Sequence, residues 1–367
     1  MTSRRKAFIW QAAALIGAAA LLAFMGRNAL VNMESRNITF GFGFLGQVAG
    51  FDIPFRLIPW TNTDTYARAL LVAVVNTLFA AGLTLGTATA LGLLLALMRL
   101  SGNLLAAGTA RVLIELIRNT PQLLQIVFFY FAVLQVLPGL RQSISIGDAA
   151  FLNVRGLFVP APTTGPWDLI VAGVLLATLI AAIFWKRMGL LIPRLLVLPP
   201  LLIAGLVAAG FTAGWDYPAL RGFNFTGGVR LPPEILALVM GITVYTSAFI
   251  AEIIRAAILG VPHGQSEAAR SLGLRDGQVM TLVVLPQALR MLIPPLTSQY
   301  LNIIKSTTLG AAIAYPEVLQ IFARTVLNQS GRAVEVMAIV LGVFLTINLL
   351  TSWAMNTWNR RLALQGR

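Results

Sequence analysis

The chain has 367 residues and a mean hydropathy of +0.81, with 57% hydrophobic and 11% charged residues. This composition excludes a water-soluble globular domain, whose surface would expose more apolar area than water tolerates, and it predicts an integral membrane protein. The net charge of +14 comes from single or paired basic residues between apolar runs. Such residues typically anchor helix ends at lipid headgroups, so we expect membrane lipid and no nucleic acid as a partner.

Side chains for metal or redox chemistry are scarce. The sequence has no cysteine and a single histidine, His263. Disulfides and cysteine-ligated metals are therefore excluded, and histidine-based metal sites and catalytic triads are disfavoured. We expect no metal and no catalytic residue.

The apolar segments, taken in chain order, predict the fold class. A helix needs about 20 apolar residues to cross a bilayer. The segments that qualify indicate an all-α polytopic membrane protein with about eight transmembrane helices, at 7–25, 69–98, 113–137, 168–185, 195–213, 235–258, 291–316 and 333–356. We interpret the first segment as a retained anchor, because no small-residue cleavage site precedes Arg27.

The basic residues predict the orientation of these helices. Lysine and arginine are more numerous on the side that holds both termini and the loop 259–290, so both termini are expected in the cytoplasm. The stretch 40–60 is too interrupted to span and is expected to lie along the outer interface. Outer acids such as Glu317 and Glu335 are expected to be solvated surface.

The spans and loops divide the chain into four parts. They are an N-terminal anchor helix with an outer interfacial loop (1–67), a first core part (68–137), an insertion of outer loops and two extra helices (138–234), and a second core part with the loop 259–290 (235–367).

Three short patterns within the spans have structural interpretations. Gly82 and Gly86, followed by Ala90, predict a small-residue stripe for close helix packing. Glu252 and Arg255 are spaced to pair on one helix face near the cytoplasm, and a pair that braces the inner loop is favoured over a substrate contact. The pair Glu115 and Arg118 repeats this spacing and is interpreted in the same way.

The inner loop 259–290 carries the most informative pattern. Residues 267–272 are mostly good helix formers, and Gly273 follows where a left-handed residue can end a helix. Asp276 suits the N-cap of a second helix, which Pro286 is expected to kink or end. The residues alone fit either a helix pair that docks into a partner's groove or a membrane-surface hairpin without a partner.

The spacing of this loop resembles the signature of ABC importer permeases. Glu267-Ala268-Ala269 precedes Gly273 by three residues, and nine residues separate Gly273 from Val283-Val284-Leu285-Pro286, where valine replaces the usual isoleucine. The segments 251–255 (AEIIR), 118–121 (RNTP) and 305–309 (KSTTL) resemble the histidine/glutamine-type amino-acid permeases. The insertion is similar to that of the longer permeases of general L-amino-acid importers.

This resemblance implies a fold, partners and a location. It implies a five-helix type I ABC importer permease core at about 68–137 and 235–360 in a bacterial inner membrane. The expected partners are two ABC ATPase subunits, a second permease subunit that makes a heterodimer, and a periplasmic amino-acid-binding protein. The resemblance assigns the ATPase contact to the motif and its neighbours, which are Glu267, Ala268, Ala269, Arg270, Leu272, Gly273, Leu285 and Pro286.

Polar residues in the seventh predicted span point to a transport pathway. Lys305 lies 15 residues after Arg290, about 22 Å along a helix, which places it well past the midplane. Its polar neighbours are Gln299, Asn302, Ser306, Thr307 and Thr308. An ionisable residue at this depth favours a cavity or a partner over lipid. The interpretations that stay open are a pathway that contacts the amino acid, a packing interface with the partner permease, and snorkelling of Lys305 to the outer headgroups.

Rival functions are less well supported. A secondary transporter coupled to protons or sodium would favour midplane carboxylates and an internal repeat, neither of which the spans contain. A membrane enzyme would need nucleophile and base chemistry that the composition supplies poorly. A channel does not explain the inner loop. The lysines, Lys6, Lys186 and Lys305, belong to no Gly-Lys-Ser/Thr phosphate loop, so we expect no bound cofactor and ATP use by partner subunits.

Overall fold

The computed structural model describes residues 3–35, 41–147, 149–162 and 215–364, and its described part is mainly helical. The α-helices that we label are α1 (Ser3–Ser35), α2 (Tyr66–Leu100), α3 (Leu104–Arg118), α4 (Gln122–Val136), α5 (Pro233–Leu259), α6 (His263–Ser271), α7 (Leu285–Ser306) and α8 (Ala333–Leu364). Shorter elements are 3-10 helices at Phe42–Gly46, Leu140–Gln142 and Thr307–Ile313, π-helices at Val279–Val284 and Leu319–Val326, and α-turns at Asp276–Gln278 and Leu327–Ser330.

Helices long and apolar enough to cross a membrane confirm most of the predicted spans that fall on described residues. These helices are Ile9–Asn28, Tyr66–Leu100, Pro233–Leu259, Asp276–Ile313 and Ala333–Thr357. The predicted spans 168–185 and 195–213 lie outside the described residues. The helical class of the fold is therefore confirmed for the part of the chain that the structure describes.

The predicted continuous span 113–137 is wrong, because the chain bends by 102° between α3 and α4. Pro121 occupies the N-cap of α4. Proline has no amide hydrogen, and it disfavours the helical conformation of the residue before it, so α3 cannot continue through this position. The Thr120 hydroxyl donates to the Ile117 carbonyl at 2.9 Å and satisfies part of the open end of α3.

The close helix packing is found away from the predicted stripe. A Cβ atom at Gly82 would meet nothing within 4 Å, whereas one at Gly92 would lie 2.7 Å from Ile250 Cγ2 and 3.0 Å from the Ser247 carbonyl oxygen. Glycine at position 92 thus lets α2 pack directly on α5. The prediction identified small residues on the right helix but on its exposed face.

The segment 41–60, predicted to lie along the outer interface, is packed against the helices. Phe44, Ile53 and Trp60 are buried in a cluster with residues of α2 and of the π-helix Leu319–Val326. Asn76 of α2 donates from Nδ2 to the carbonyls of Phe55 and Pro316, both at 2.9 Å. This asparagine joins two outer loops to α2, so its role in the structure is architectural.

The insertion adds short strands that the all-α prediction did not include. They are β1 (Ile144–Ile146), β2 (Ala150–Asn153), β3 (Gly156–Val159), β4 (Ala161–Pro162), β5 (Trp215–Asp216), β6 (Ala219–Arg221), β7 (Asn224–Thr226) and β8 (Val229–Leu231). One sheet has the order β1-β2-β3-β8, and β4–β5 and β6–β7 form antiparallel pairs. Because β4 pairs with β5, Pro162 and Trp215, the described residues on either side of 163–214, are neighbours. The predicted boundaries of the four parts stay predictions.

Candidate functional site

A cavity of about 370 Å³ opens between α4, α5 and α7. Most of the residues that line it are polar, and Lys305 is its charged member. The residues that line it are Gln122, Tyr245, Thr246, Phe249, Gln299, Asn302, Lys305, Ser306, Thr308 and Leu309.

The sequence of α7 explains why its polar side chains meet at this cavity. Gln299, Asn302 and Ser306 are spaced three or four residues apart and therefore lie on one face of the helix. Ile303 and Ile304 between them are buried in the protein core. The helix thus presents its polar stripe to the cavity and its apolar side chains to the core.

One residue of the predicted pathway has a different position. Thr307 is fully buried, and its hydroxyl donates to the Ile304 carbonyl at 2.7 Å. A hydroxyl occupied in this way closes the last turn of α7 and does not line the cavity. The other five predicted residues, from Gln299 to Thr308, are brought together there.

The cavity also has walls that the sequence analysis missed, on α4 and α5. Gln122 accepts a hydrogen bond from the Ser306 hydroxyl at 3.1 Å. Its side-chain nitrogen is buried and has no partner among the described residues. Gln122 follows Pro121 directly, so the helix start imposed by this proline was the available signal. For Tyr245, Thr246 and Phe249, no sequence signal distinguished them from the rest of an apolar span.

The depth of the cavity differs from the expectation for Lys305. Tyr245, Thr246 and Phe249 lie close to the middle of the 27-residue α5, so Lys305 is level with the centre of that helix and not well past it. Ala288, two residues before Arg290, packs in a cluster with Ala269 of α6, so the beginning of α7 lies beside the loop helix α6.

The electrostatics of the cavity favour a negatively charged group. Lys305 forms no ion pair within the described residues, and the lining contains no carboxylate. The guanidinium carbon of Arg118 lies 5.1 Å from the ring centroid of Phe249, one of the lining residues. The cavity can therefore offer an ammonium group, amides and hydroxyls to a ligand that carries a carboxylate.

The predicted pair of Glu115 with Arg118 is wrong, since Glu115 accepts from Arg111 Nε at 3.0 Å, one helical turn away.

The predicted inner loop folds as a short helix with a tight end. Gly273 has φ of +83°, the left-handed conformation that was expected of it. Its amide donates to the Arg270 carbonyl at 2.9 Å, and the Leu274 amide donates to the Ala269 carbonyl at 3.2 Å. These two bonds and the apolar contact of Leu274 with the cluster of Ala269 form a Schellman motif. Glycine is needed here because a Cβ atom would strain this conformation.

The two alanines of the motif differ in exposure on α6. Ala269 is buried beneath the helix, while Ala268 is exposed together with Glu267, Arg270 and Leu272. Leu272 is 84% exposed, which leaves an apolar side chain at the end of α6. The exposed face of α6 has the mixed composition of a docking surface, and Ala269 supports it from below.

The connection from α6 to α7 differs from the prediction in two details. Arg275, and not Asp276, is the N-cap of the next helical turn; Asp276 accepts from Arg270 Nε at 2.9 Å. Pro286 does not end the helix, because it lies in the first turn of α7 directly after the π-helix Val279–Val284. The wider π turn accommodates the proline ring and the hydrogen bond that is missing because proline has no amide hydrogen. Leu285 beside it is partly exposed.

The ion pair predicted near the inner end of α5 is present. Arg255 Nε lies 2.8 Å from Glu252 Oε2, and both side chains are partly buried. Since both residues lie in the inner half of α5, this pair stabilises the helix just before the loop.

Two acids expected on the solvated outer surface are buried. Glu317 accepts the amides of Leu319 and Gln320 at 2.8 and 2.6 Å, which caps the π-helix Leu319–Val326. Burial raises the pKa of Glu317 to about 8. Glu335 accepts the Gly41 amide at 2.9 Å and lies 3.6 Å from Arg332 Nη1. Glu317 thus caps the helix that follows it, and Glu335 joins the segment at Gly41 to α8, so each buried carboxylate has hydrogen-bond donors.

The described residues contain no group of three or more metal-ligating side chains.

Comparisons with known proteins agree with the resemblance noted in the sequence. Residues 170–364 match the family of binding-protein-dependent transport system inner membrane components. YhdX of Escherichia coli, provisionally named an amino-acid ABC transporter permease protein, is 45% identical over 99% of this chain and 95% of its own length. The general L-amino acid transport system permease protein AapQ of Rhizobium johnstonii is 41% identical over 94% of this chain and 89% of its own length.

A solved structure has a similar fold. It is described as the crystal structure of an amino acid ABC transporter with histidines, and it covers 81% of this chain and 95% of its own. The TM-score is 0.51 and the sequence identity is 21%, so this likeness concerns the fold alone. It confirms the predicted type I importer permease fold.

Proposed function

The chain belongs to the family of binding-protein-dependent transport system inner membrane components, and from that premise we propose that it is the permease subunit through which an ATP-driven importer moves L-amino acids. The observation that carries this proposal is the polar cavity at the middle of α5, with Lys305 as its charged residue. The names of YhdX and AapQ support the same substrate class.

The cavity supports binding of the groups that all amino acids share. The Lys305 ammonium suits the α-carboxylate, since a charge-assisted hydrogen bond is about twice as strong as a neutral one. Side-chain oxygens of Gln299, Asn302 and Thr308 suit the α-ammonium group. A second carboxylate would also meet the positive potential of Lys305, whereas a cationic side chain would be repelled. Neutral and acidic amino acids are therefore the substrates that this cavity favours.

The exposed face of α6 supports coupling to an ATPase. Glu267, Ala268, Arg270 and Leu272 face away from the core, and the Schellman motif at Gly273 holds the end of the helix. A helix fixed in this way transmits movement to α7 through the π-helix Val279–Val284. ATP drives the change between outward-open and inward-open states only if the docked ATPases have unequal affinity for the two states.

The proposed assembly has two ABC ATPase subunits, this chain, a related second permease chain, and a periplasmic amino-acid-binding protein. Both termini of this chain lie in the cytoplasm. ATP is bound and hydrolysed by the ATPase subunits, because the lysines of this sequence stand in no phosphate-binding loop. The family, whose members depend on a binding protein, supports these partners.

Uptake of labelled amino acids by proteoliposomes that contain the purified complex tests the proposal. Gly273→Asp should abolish ATP-dependent uptake and release the ATPase, because this position needs a left-handed backbone. Gly277→Asp is the matched control: its Cβ atom would meet nothing within 4 Å, and an acid is favourable in the first turn of a helix. Uptake that persists without the ATPase, or that an ion gradient drives, would overturn the proposal in favour of a secondary transporter.

A further inference from the structure

The β-strands of the insertion lie at the end of α5 opposite to the end that leads into α6. Strand β8 ends at Leu231, and α5 begins two residues later at Pro233. At its other end, Leu259, α5 leads into α6. Its 27 residues span about 40 Å, enough to cross a bilayer. The strands are therefore on the side of the membrane from which a binding protein would approach.

A groove of about 370 Å³ lies between the 3-10 turn Leu140–Gln142 and the β6–β7 hairpin. Arg141, Gln142 and Arg155 line it together with Leu220 and Phe223. It combines two guanidinium groups with an aromatic and an aliphatic side chain. Arginine and aromatic residues are the types that contribute most at protein–protein interfaces.

The tip of the hairpin holds an aromatic side chain in a defined position. Arg221 pairs with Asn224, which leaves Gly222 and Phe223 as a two-residue loop. Gly222 has φ of +65° at the first central position, as a type II′ turn requires. Phe223 is 78% exposed, and the Arg141 guanidinium carbon lies 5.4 Å from its ring centroid.

The hairpin is anchored to the four-stranded sheet, so the groove is formed before any partner binds. The Phe225 ring lies 4.9 Å from that of Phe151 and 4.7 Å from that of Phe158, between centroids. Arg155 Nη1 donates to Asn224 Oδ1, and the Arg155 carbonyl accepts from Arg230 Nε at 2.9 Å. Groups that are already ordered lose little entropy on binding.

The charges of the groove are not neutralised within the described part of the chain. Neither Arg141 nor Arg155 belongs to any ion pair found there. The acid of β5, Asp216, accepts a hydrogen bond from the Gly228 amide at 2.9 Å; Asp148 lies outside the described residues. Two arginines fixed in place without an acid favour a partner that brings carboxylates.

We propose that this groove docks an acidic surface segment of the periplasmic binding protein, with carboxylates at Arg141 and Arg155 and an apolar contact at Phe223. This inference rests on the proposed function, which requires such a partner. A lipid headgroup would satisfy the two arginines, but it would leave the exposed ring of Phe223, held at a rigid hairpin tip on the side of the binding protein, without a matching surface. The groove would then steer the binding protein to the permease.

The test uses the whole importer complex in nanodiscs and the purified binding protein that supports uptake in proteoliposomes. Arg141→Glu and Arg155→Glu should each raise the Kd for the binding protein about tenfold or more, mainly through slower association. Arg221→Glu is the matched control, because it makes the same charge change on the hairpin that borders the groove, at a residue outside the groove lining. Its Kd should change less than about threefold, and ATPase activity without the binding protein should be the same in all variants.

Neutral variants and lipid composition separate the alternatives. Arg141→Gln combined with Arg155→Gln should reduce the salt dependence of association, since fewer charges are screened. Equal Kd values for the groove variants and wild type, or equal losses in the groove variants and Arg221→Glu, would overturn the proposal. So would an effect that vanishes in phosphatidylcholine nanodiscs, which would assign the groove to anionic lipid. If wild type itself neither binds the binding protein nor imports amino acids, the proposed function fails as well.

Discussion

The Ser306 hydroxyl donates to Gln122 Oε1 at 3.1 Å and joins the end of α7 to the first turn of α4. The two residues are 184 positions apart in the sequence. Their contact closes one side of the cavity that contains Lys305. It connects α7, which follows the inner loop 259–290, to α4, which begins after Pro121.

This hydrogen bond should be measurable by a double-mutant cycle. Ser306→Ala and Gln122→Leu should each raise the KM for uptake, and the two changes together should cost about 1 kcal/mol less than their sum, because a net hydrogen bond contributes about that amount. The measurement is uptake by proteoliposomes at several amino-acid concentrations. Strictly additive effects would mean that the two side chains act independently.

Removal of the charge at Lys305 tests the binding site directly. Lys305→Met should raise the KM for a neutral amino acid by roughly 10- to 100-fold, because a hydrogen bond to a charged group contributes about 1.5–3 kcal/mol. Lys305→Arg keeps the charge and is the control, with a smaller effect. Unchanged uptake by Lys305→Met would instead favour the packing or snorkelling interpretation of this lysine.

The two alanines of the motif should differ when each is enlarged. Ala269→Leu adds volume beneath α6, where Ala269 is 5% exposed, and should lower the free energy of unfolding by about 1–3 kcal/mol. Ala268→Leu should leave stability within about 0.5 kcal/mol but weaken ATPase docking. Thermal unfolding and co-purification of the ATPase distinguish the two effects. Loss of docking with both variants at unchanged stability would contradict the orientation of α6.

Gly92 and Gly82 offer a matched pair on one helix. Gly92→Ala places a Cβ atom 2.7 Å from Ile250 Cγ2, so α2 and α5 must separate, at a cost of about 1–3 kcal/mol. Gly82→Ala meets nothing within 4 Å, and its higher helix propensity should be neutral or stabilising. The unfolding temperatures of the two purified variants give the comparison; a similar shift in both would mean that propensity alone decides.

Glu317 should make stability depend on pH. Its pKa is about 8 in the folded protein against a usual value of 4.5, so the folded state holds a proton that the unfolded state releases. Stability from this group is complete below pH 4.5 and falls as pH rises to about 8. The titratable group that interacts with it is Tyr315, whose pKa is also raised, by burial and by Glu317.

Glu317→Gln should remove this part of the pH dependence. Between pH 5.5 and about 8, the unfolding temperature of wild type should fall more steeply than that of the variant. Parallel curves would show that Glu317 is ionised in the folded protein at neutral pH.

The sequence by itself determined the membrane class, the positions of most spans, the left-handed turn at Gly273 and the polar stripe of α7. Each of these follows from local features: apolar length, glycine freedom and helical periodicity. A stripe of Gln299, Asn302 and Ser306 is visible along one helix without knowledge of any other helix.

Only the tertiary structure decided what faces that stripe and which side chains are buried. Gln122, Tyr245, Thr246 and Phe249 complete the cavity from α4 and α5. Only Gln122 has a local signal, the helix start after Pro121. The tertiary structure likewise decided that Ala269 and Glu317 are buried and that Gly92 lies at a helix contact. Burial and cavity walls depend on contacts between segments that are far apart in the chain. In a membrane-spanning helix, the residues that face lipid are as apolar as those that face the core. The contrast between core and surface that identifies buried positions in soluble proteins is therefore absent from the sequence of such a helix.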